Sequence, residues 1–538
     1  MRGRRPTPCG IYGVINSLTK RSFRQNWARL CLVRAACWLV LVISVRAEAS
    51  DEIRREQARP AKENYLGSFA HWQTKNTLNG NNGALENPDG DAFSNLVEFT
   101  LGQPADSGMT SASAVLPKLI YNPIRAKFDF EYQRRKNLPT NLTITLLMTG
   151  YDGYEEPTSL VPVVSEAEGD FEKVVYSDLE SDPFFQGQTM GKVRLQVSLD
   201  AETEHRLDSK MALWCWRRHP VTAGGSRSFA MPLVRQEVYR GRIAGMSASV
   251  MKISGFVGEG GGFASALLTG ESYYVEVMEG PLEGQRWEVD EPSCTAGGIA
   301  LDLTSSRNTG VKMPNFKGMI IAVRPHQTVG NVIRTDRLLS ATRCAEADRV
   351  QFWDREQGHY TEYWLSLRAS NVRQWVLAGD LNVADAGSRV LLPDEGLFIK
   401  CGRVSASLPL VGLCREADLI IALEKGTHFL GTGWIDAATP GQMDMLGKRI
   451  FSASSSNHQA DRFRIWNNQS RVSSTLAGYY LRASSEGDHE WVREGDADLI
   501  GQNQASLLNA FEAFFIIHPG APVQWRQPSQ ALSNESLH

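Results

Sequence analysis

Cysteine is scarce in this chain and badly spaced for a framework: eight in 538 residues, three of them (Cys9, Cys31, Cys37) within the first 47. The other five, Cys215, Cys294, Cys344, Cys401 and Cys414, form no CxxC. Their odd number argues against a disulfide-built fold, so buried free thiols are expected, with Cys401 and Cys414 the nearest pair if one bridge forms. Acidic residues are absent from residues 1–47, where nine Lys and Arg stand. Catalytic signatures are missing as well: there is no HExxH, no GxSxG, no phosphate-binding loop and no His/Cys cluster at zinc spacing. The ten histidines are scattered singly. These absences argue against the commoner metallohydrolase, serine-hydrolase and nucleotide-driven chemistries. No apolar run after the leader is long enough for a transmembrane helix.

What the N-terminus does contain reads as a signal peptide over residues 1–47. A basic region runs into "AACWLVLVISV" (Ala35 to Val45), too short to span a bilayer comfortably, and "VRAEAS" then offers small residues for cleavage near Ala47 or Ala49. An uncleaved anchor is the competing reading. "TKRSF" resembles a twin-arginine export signal, with Lys20 in place of one arginine. Loss of the leader leaves 48 basic against 60 acidic residues and shifts the formal net charge from −3 to −12. That sign disfavours nucleic acid and anionic lipid as partners and favours divalent cations. An exported protein is expected, periplasmic, at the outer surface or extracellular. Its partner is a cell-surface protein or a polysaccharide, or neither.

A polar linker (48–66) precedes a segment (67–108) in which "FAHWQTKNTLNG" and "NLVEFTLG" carry apolar residues at helical spacing around a polar loop, a short helix-loop-helix. From 115 to 200 the period changes to two, with strands in "KLIYNPIRAKFDFEYQRR", "NLTITLLMT", "FEKVVYSDL" and "GKVRLQVSLD". This predicts a small β domain. Residues 228–305 read as β-hairpins, with the Gly-rich stretch Gly258 to Gly262 taken as a plain hairpin loop.

The last third repeats itself. "EADRVQFWD" (Glu346 to Asp354) matches "QADRFRIWN" (Gln459 to Asn467), the stretch Tyr363 to Asp380 matches Tyr479 to Asp496, and "DEGLFIKC" (Asp394 to Cys401) matches "FEAFFIIH" (Phe511 to His518). Two β modules packed as a pair are expected, 311–401 and 425–519, with "FKGMIIAV" and "THFLGTGW" as their lead-in strands and a disordered tail over 520–538. The fold class is therefore mainly β and multidomain: small β-sandwich or barrel-like modules, one of them duplicated in tandem, with a short helix-loop-helix near the N-terminus.

One stretch has metal-loop spacing. Counted from Asn87, "NPDGDAFSNLVEF" places Asp89 at 3, Asp91 at 5, Phe93 at 7, Asn95 at 9 and Glu98 at 12. Calcium takes six to eight oxygens, and side chains at 1, 3 and 5, the carbonyl of Phe93 and a bidentate Glu98 can supply them. Two departures weaken the match: Asn87 at the first position, and Ala92 where glycine is usual. The alternative is a turn capped by Ser94 or Asp91 without metal. The segment resembles the calcium loops of dockerin and thrombospondin type 3 repeats.

Carboxylate pairs such as Asp348 with Asp354, or Asp461 with Glu490, have the residue types for glycoside hydrolysis. Trp353 matches Trp466 and Trp375 matches Trp491 between the repeats, which favours a core role over a sugar platform. From Pro232 onward the ordered motifs "PLVRQEVYRGRI", "YYVEVMEGPLEGQRWEV", "ADRVQFWD", "HFLGTGW", "ADRFRIWN" and "EAFFI" resemble an exported β-rich family typical of verrucomicrobial bacteria. That resemblance implies location and architecture, and no reaction. The expectation is a non-catalytic scaffold, adhesion or binding component with calcium as its one cofactor; the alternative is a polysaccharide-binding or polysaccharide-active protein with an exposed tryptophan beside two carboxylates.

Overall fold

The computed structural model describes Phe69, Trp72, residues 83–87 and 93–103, and residues 116–530 apart from 151–152, 167–168, 201–205, 254–261, 306–312, 369–370, 403–404, 448–449, 467–475, 484–487 and 497–500. All of these belong to one compact unit, residues 68–538. The expected signal peptide and linker lie outside the described residues. The described chain is mainly β, in several antiparallel sheets with few helices, and no described helix is long and apolar enough to cross a membrane.

Near the N-terminus, Phe69 and Trp72 are helical and buried, and they close on Phe99 of the helix Asn95–Leu101 at 5.4 and 5.9 Å. Beyond it the alternating segments pair as expected. Lys118–Asn122, Lys127–Arg135, Phe171–Tyr176 and Val163–Glu166 make a four-stranded sheet in that order. Facing it is a larger sheet built on Leu142–Thr149, Met190–Asp200 and Trp214–Val221, whose edge strand, Ala406–Leu413, comes from far along the chain. The two sheets meet where Phe128 stacks on Trp216 at 4.9 Å. A Cβ at Gly191 would stand 2.5 Å from the Trp216 indole, so only glycine lets the ring lie flat there.

The repeated blocks form two five-stranded sheets with one strand order. In the first, Ser226–Ala230, Gly396–Lys400, Arg349–Asp354, His359–Leu367 and Arg373–Leu377 are neighbours in turn; in the second, Gly426–Gly431, Ala513–His518, Arg462–Trp466, Leu476–Ala483 and His489–Arg493. Even the register agrees, with Leu365 opposite buried Trp375 and Leu481 opposite buried Trp491. In each copy the same small device lies between the lead-in strand and the next strand of the sheet: Thr328 and Asn331 exchange backbone-to-side-chain bonds, and so do Thr439 and Gln442.

Two expectations are corrected here. "FKGMIIAV" does not lead into the first repeat; its strand, Ile320–Pro325, sits between Tyr239–Ser247 and Tyr273–Val277 in a separate six-stranded sheet, and Ser226–Ala230 takes the lead-in place. Residues 235–325 are thus inserted into the first repeat. The sequence signal was ambiguous because an inserted strand and a lead-in strand show the same apolar run. Likewise, part of 520–538 is no tail: Val523–Gln527 pairs with Leu419–Leu423 and buries Trp525, whose Nε1 donates to the Met443 carbonyl at 2.9 Å.

The inserted sheet curls into a half-barrel, a bridge from Val289 to Leu301 joining its outer strands around a core of Tyr239, Phe263, Tyr273, Trp287 and Phe316. Its two expected hairpins are present. The Gly-rich stretch does not close a hairpin: 254–261 lie outside the described residues, one helical turn, Phe263–Ala266, follows, and the strands before and after it pair with other partners.

The two five-stranded sheets touch reciprocally. Trp353 Nε1 donates to the Thr427 carbonyl at 2.9 Å, and its counterpart Trp466 donates to the Ser226 carbonyl at 3.3 Å. Gly431 N–H donates to Asp394 and Ala230 N–H to Phe511 at 3.0 and 3.1 Å. Phe398, Phe429 and Phe515 stack between the sheets. A Cβ at Gly396 would fall 2.6 Å from that of Ala513, and one at Gly431 2.7 Å from that of Ala230. Gly396→Val is therefore expected to cost about 1–3 kcal/mol by overpacking, read as a lower urea midpoint. Gly245→Ala, where an added methyl meets nothing within 4 Å, is expected to stay within about 0.5 kcal/mol.

Candidate functional site

The calcium-type segment is described in part. Asp89 and Asp91 lie outside the described residues; Asn87 is exposed, while Phe93, Asn95 and Glu98 are buried, Asn95 and Glu98 completely. Asn95 Nδ2 donates to the Gly83 carbonyl at 2.8 Å, and the N–H groups of Asn95 and Leu96 donate to Glu86 and Ala84. The helix start is therefore satisfied by backbone carbonyls of the preceding loop. Ser94, expected as a possible cap, makes no capping bond; its hydroxyl meets Ser209 at 2.8 Å and ties the helix to the next region. Gly102, at φ +78°, closes the helix, and Arg135 donates to the Phe99 carbonyl at 2.7 Å. Among the described residues no group of three or more His, Cys, Asp or Glu is placed to hold a metal.

The carboxylates considered for hydrolysis are engaged in holding backbone. Asp348 and Asp461, equivalent in the repeats and at most 1% exposed, clamp the loop before their strand in the same way. Asp348 Oδ2 accepts from Leu339 N–H at 2.8 Å, and Asp461 Oδ2 from Ser452 N–H at 2.6 Å. The second oxygen differs: on Asp348 it accepts from Gly402 N–H at 2.7 Å, whereas on Asp461 it meets His518 Nδ1 at 2.7 Å, and His518 Nε2 meets the Ala521 carbonyl at 2.8 Å. Burial raises the Asp461 carboxyl above its ordinary range, against the Ser452 and His518 contacts. Asp354 caps its own turn through Gln357 N–H, and Glu490 is paired with Arg482.

The five cysteines are free thiols. Burial pushes Cys401 up to about 12, with the Asp348 carboxylate adding to it, and raises Cys414 well above the usual thiol value beside Cys215. Thiols so raised, Cys401 and Cys414, are not poised as nucleophiles. A buried ion network joins the half-barrel to its surroundings: Arg324 meets Glu237 and, at 3.4 Å, Glu276, and Arg240 bridges Glu237 at 3.2 Å to Glu416 at 2.6 Å. Burial alone would raise the Glu237 carboxyl; Arg324 and Arg240 hold it below its ordinary value.

A cleft of about 650 Å³ opens beside the second five-stranded sheet. Trp466 and Tyr479 form part of its wall, with Arg217, Arg227, Arg493, Asp436 and Glu512 on its polar side. Glu512 is held by Arg227 at 3.1 Å and by Asn509 at 3.0 Å; Asp436 is held by Lys192 at 2.5 Å. Arg217 lies over the Phe511 ring at 4.8 Å. Sequence reasoning picked out Trp466 and missed the rest, because these residues come from four separate stretches of chain. Trp375 and Trp491 are core, as expected, whereas Trp353 and Trp466, for which a core role was also expected, are half-buried, as is Trp364.

Asp461→Ala strands the His518 Nδ1 contact and the Ser452 N–H and is expected to destabilise by about 1–3 kcal/mol for each. Asp348→Ala strands the Leu339 and Gly402 N–H groups, at about 1–3 kcal/mol for each, and is expected to cost a comparable amount; urea unfolding of both variants checks this. No family model, curated protein or solved structure matches the chain.

Proposed function

We propose that the protein is a non-catalytic, exported component of the cell envelope or extracellular space, a scaffold or binding protein made of small β modules around a tandem duplicated one. Export rests on the leader sequence. The observation that carries the binding reading is the cleft, wide enough for a small ligand and lined by both aromatic and charged side chains. The carboxylate pairs that suggested hydrolysis are committed to backbone clamps and ion pairs, which favours binding without turnover. Among ligands, a polysaccharide is favoured by half-buried Trp466 beside Asp436 and Glu512 in the same cleft. That same arrangement supports the second reading, a polysaccharide-active protein.

Affinity electrophoresis of the full chain in polysaccharide gels, run beside a reducing-end assay, separates the two. Retardation with no release of reducing ends is the expected result; sustained release would replace the binding reading with the hydrolytic one.

Calcium at Asn87, Asp89, Asp91, Phe93, Asn95 and Glu98 remains part of the proposal. In its favour stands the spacing of these oxygen-bearing residues, which matches a calcium loop that closes on a glutamate. At a hundredfold excess over its dissociation constant, calcium should stabilise the protein by about 2.7 kcal/mol. Thermal unfolding in chelator and in millimolar calcium, with the double variant Asp89→Ala, Asp91→Ala alongside, tests this. An equal shift in the variant, or none in either, would remove calcium from the account.

A further inference from the structure

We infer that the cleft takes an anionic saccharide, a chain bearing uronate-type carboxylates, in preference to a neutral glycan. The inference rests on the reading of the cleft as a polysaccharide site. Its polar side brings three guanidiniums, from Arg217, Arg227 and Arg493, against two carboxylates, Asp436 and Glu512. Both carboxylates already face donors of the protein, Asp436 the Lys192 ammonium and Glu512 Arg227 with Asn509. With Arg227 committed to Glu512 and Lys192 to Asp436, the cation that faces a ligand is the exposed Arg493. Guanidinium forks match planar carboxylates, and the aromatic wall suits the apolar face of a sugar ring.

A neighbouring group responds to the same field. His219 is fully buried against Phe229, at 5.0 Å, and its proton affinity is pushed well down by burial and then by the charges of Arg227 and Arg217. Burial is the larger cause, and the two guanidinium charges add to it.

The duplicated sheets supply an internal comparison. Tyr479 pairs with Arg493, whereas the corresponding Tyr363 pairs with Leu377. Arg227 stands next to Ser226 in its lead-in strand, and the corresponding residue after Thr427 is His428, whose Nε2 bonds to the Glu424 carbonyl. Framework residues are shared between the copies, while these two arginines belong to the cleft-bearing side alone.

Isothermal titration calorimetry of the full chain with hexagalacturonate and with cellohexaose tests the assignment. The expected result is binding of hexagalacturonate that weakens with added salt. Arg493→Leu, which installs the residue found at the equivalent place of the other sheet, should weaken it about ten- to a hundredfold. Arg343→Gln, at an exposed position outside the cleft lining, should leave it unchanged. Binding of cellohexaose alone would overturn the anionic ligand and leave the polysaccharide reading standing. Hexagalacturonate binding that ignores Arg493→Leu would overturn the assignment to this cleft, and binding of neither sugar would overturn both readings.

Discussion

The contact between the two five-stranded sheets is the constraint on which the rest of the molecule depends. Two tryptophans at equivalent places each reach across to a carbonyl of the other sheet's lead-in strand. Such an arrangement has the form of an isologous contact, in which one patch meets its own copy across a two-fold axis. Close to that axis equivalent residues face each other, and backbones approach only if the side chains there are small. Gly396 meets Ala513 and Ala230 meets Gly431, one glycine in each pair. Two alanines would put Cβ atoms about as close as in no real structure, so the pairing admits at most one methyl at each place. A single chain can divide glycine and alanine between the two positions, which a symmetric dimer of one sequence cannot.

Everything else is mounted on this pair. The half-barrel enters through the connection after the first lead-in strand, and its ends return together: Val238 N–H donates to the Val323 carbonyl, and Arg324 to the Arg235 carbonyl at 2.9 Å. Closely spaced ends let a unit of this size be accepted without parting the strands on either side. The buried network of Arg324, Glu237, Glu276 and Arg240 sits at that entry. Ion pairs so deeply withdrawn from water add little net stability, but each charge makes any other seating of the half-barrel expensive. On the opposite side, the strand Ala406–Leu413 leaves the first repeat and completes the sheet of the N-terminal region before the chain starts the second. The N-terminal region is thereby fixed to the pair by main-chain bonds.

Much of this was legible in the residues. Period-two alternation located five of the nine strands between Lys118 and Val221 but not the short ones such as Glu155–Pro157, Val163–Glu166 and Arg206–Lys210, and the tryptophan-bearing blocks located matching strands in both copies. The failures have a common physical cause. A strand's apolar pattern reports that one face is buried and says nothing of which neighbour buries it, so "FKGMIIAV" was given to the wrong sheet. The TVGN and TPGQ turns, which extend the likeness upstream, went unseen because the loops between turn and strand differ in length. Asp348 and Asp461 had the residue type for catalysis, and only their burial against Leu339 and Ser452 N–H groups reveals what they hold. The cleft was illegible for the reason most sites are: Arg217, Arg227, Asp436 and Arg493 meet only once three sheets have been folded.

The asymmetry of the pair bears on where a ligand can sit. An ideal two-fold would place an equivalent cleft beside Trp353, in the first sheet. There the residue opposite Trp353 is Tyr360, whose ring packs on it at 5.1 Å and reaches Phe398 at 5.8 Å. Opposite Trp466 stands Leu476, a shorter side chain that is 38% exposed at the cleft. One aromatic ring thus fills in the first copy what the second leaves open. Arg389 lies over Phe352 at 4.5 Å and pairs with Glu395 at 2.5 Å, using on the closed side a carboxylate equivalent to Glu512. The framework residues Trp375 and Trp491, Asp348 and Asp461, and Leu365 and Leu481 stay alike because both sheets need them to fold. Divergence gathers around Leu476, Arg493 and Arg227, which line the cleft, and so accounts for a cleft on one side of the pair and a filled surface on the other.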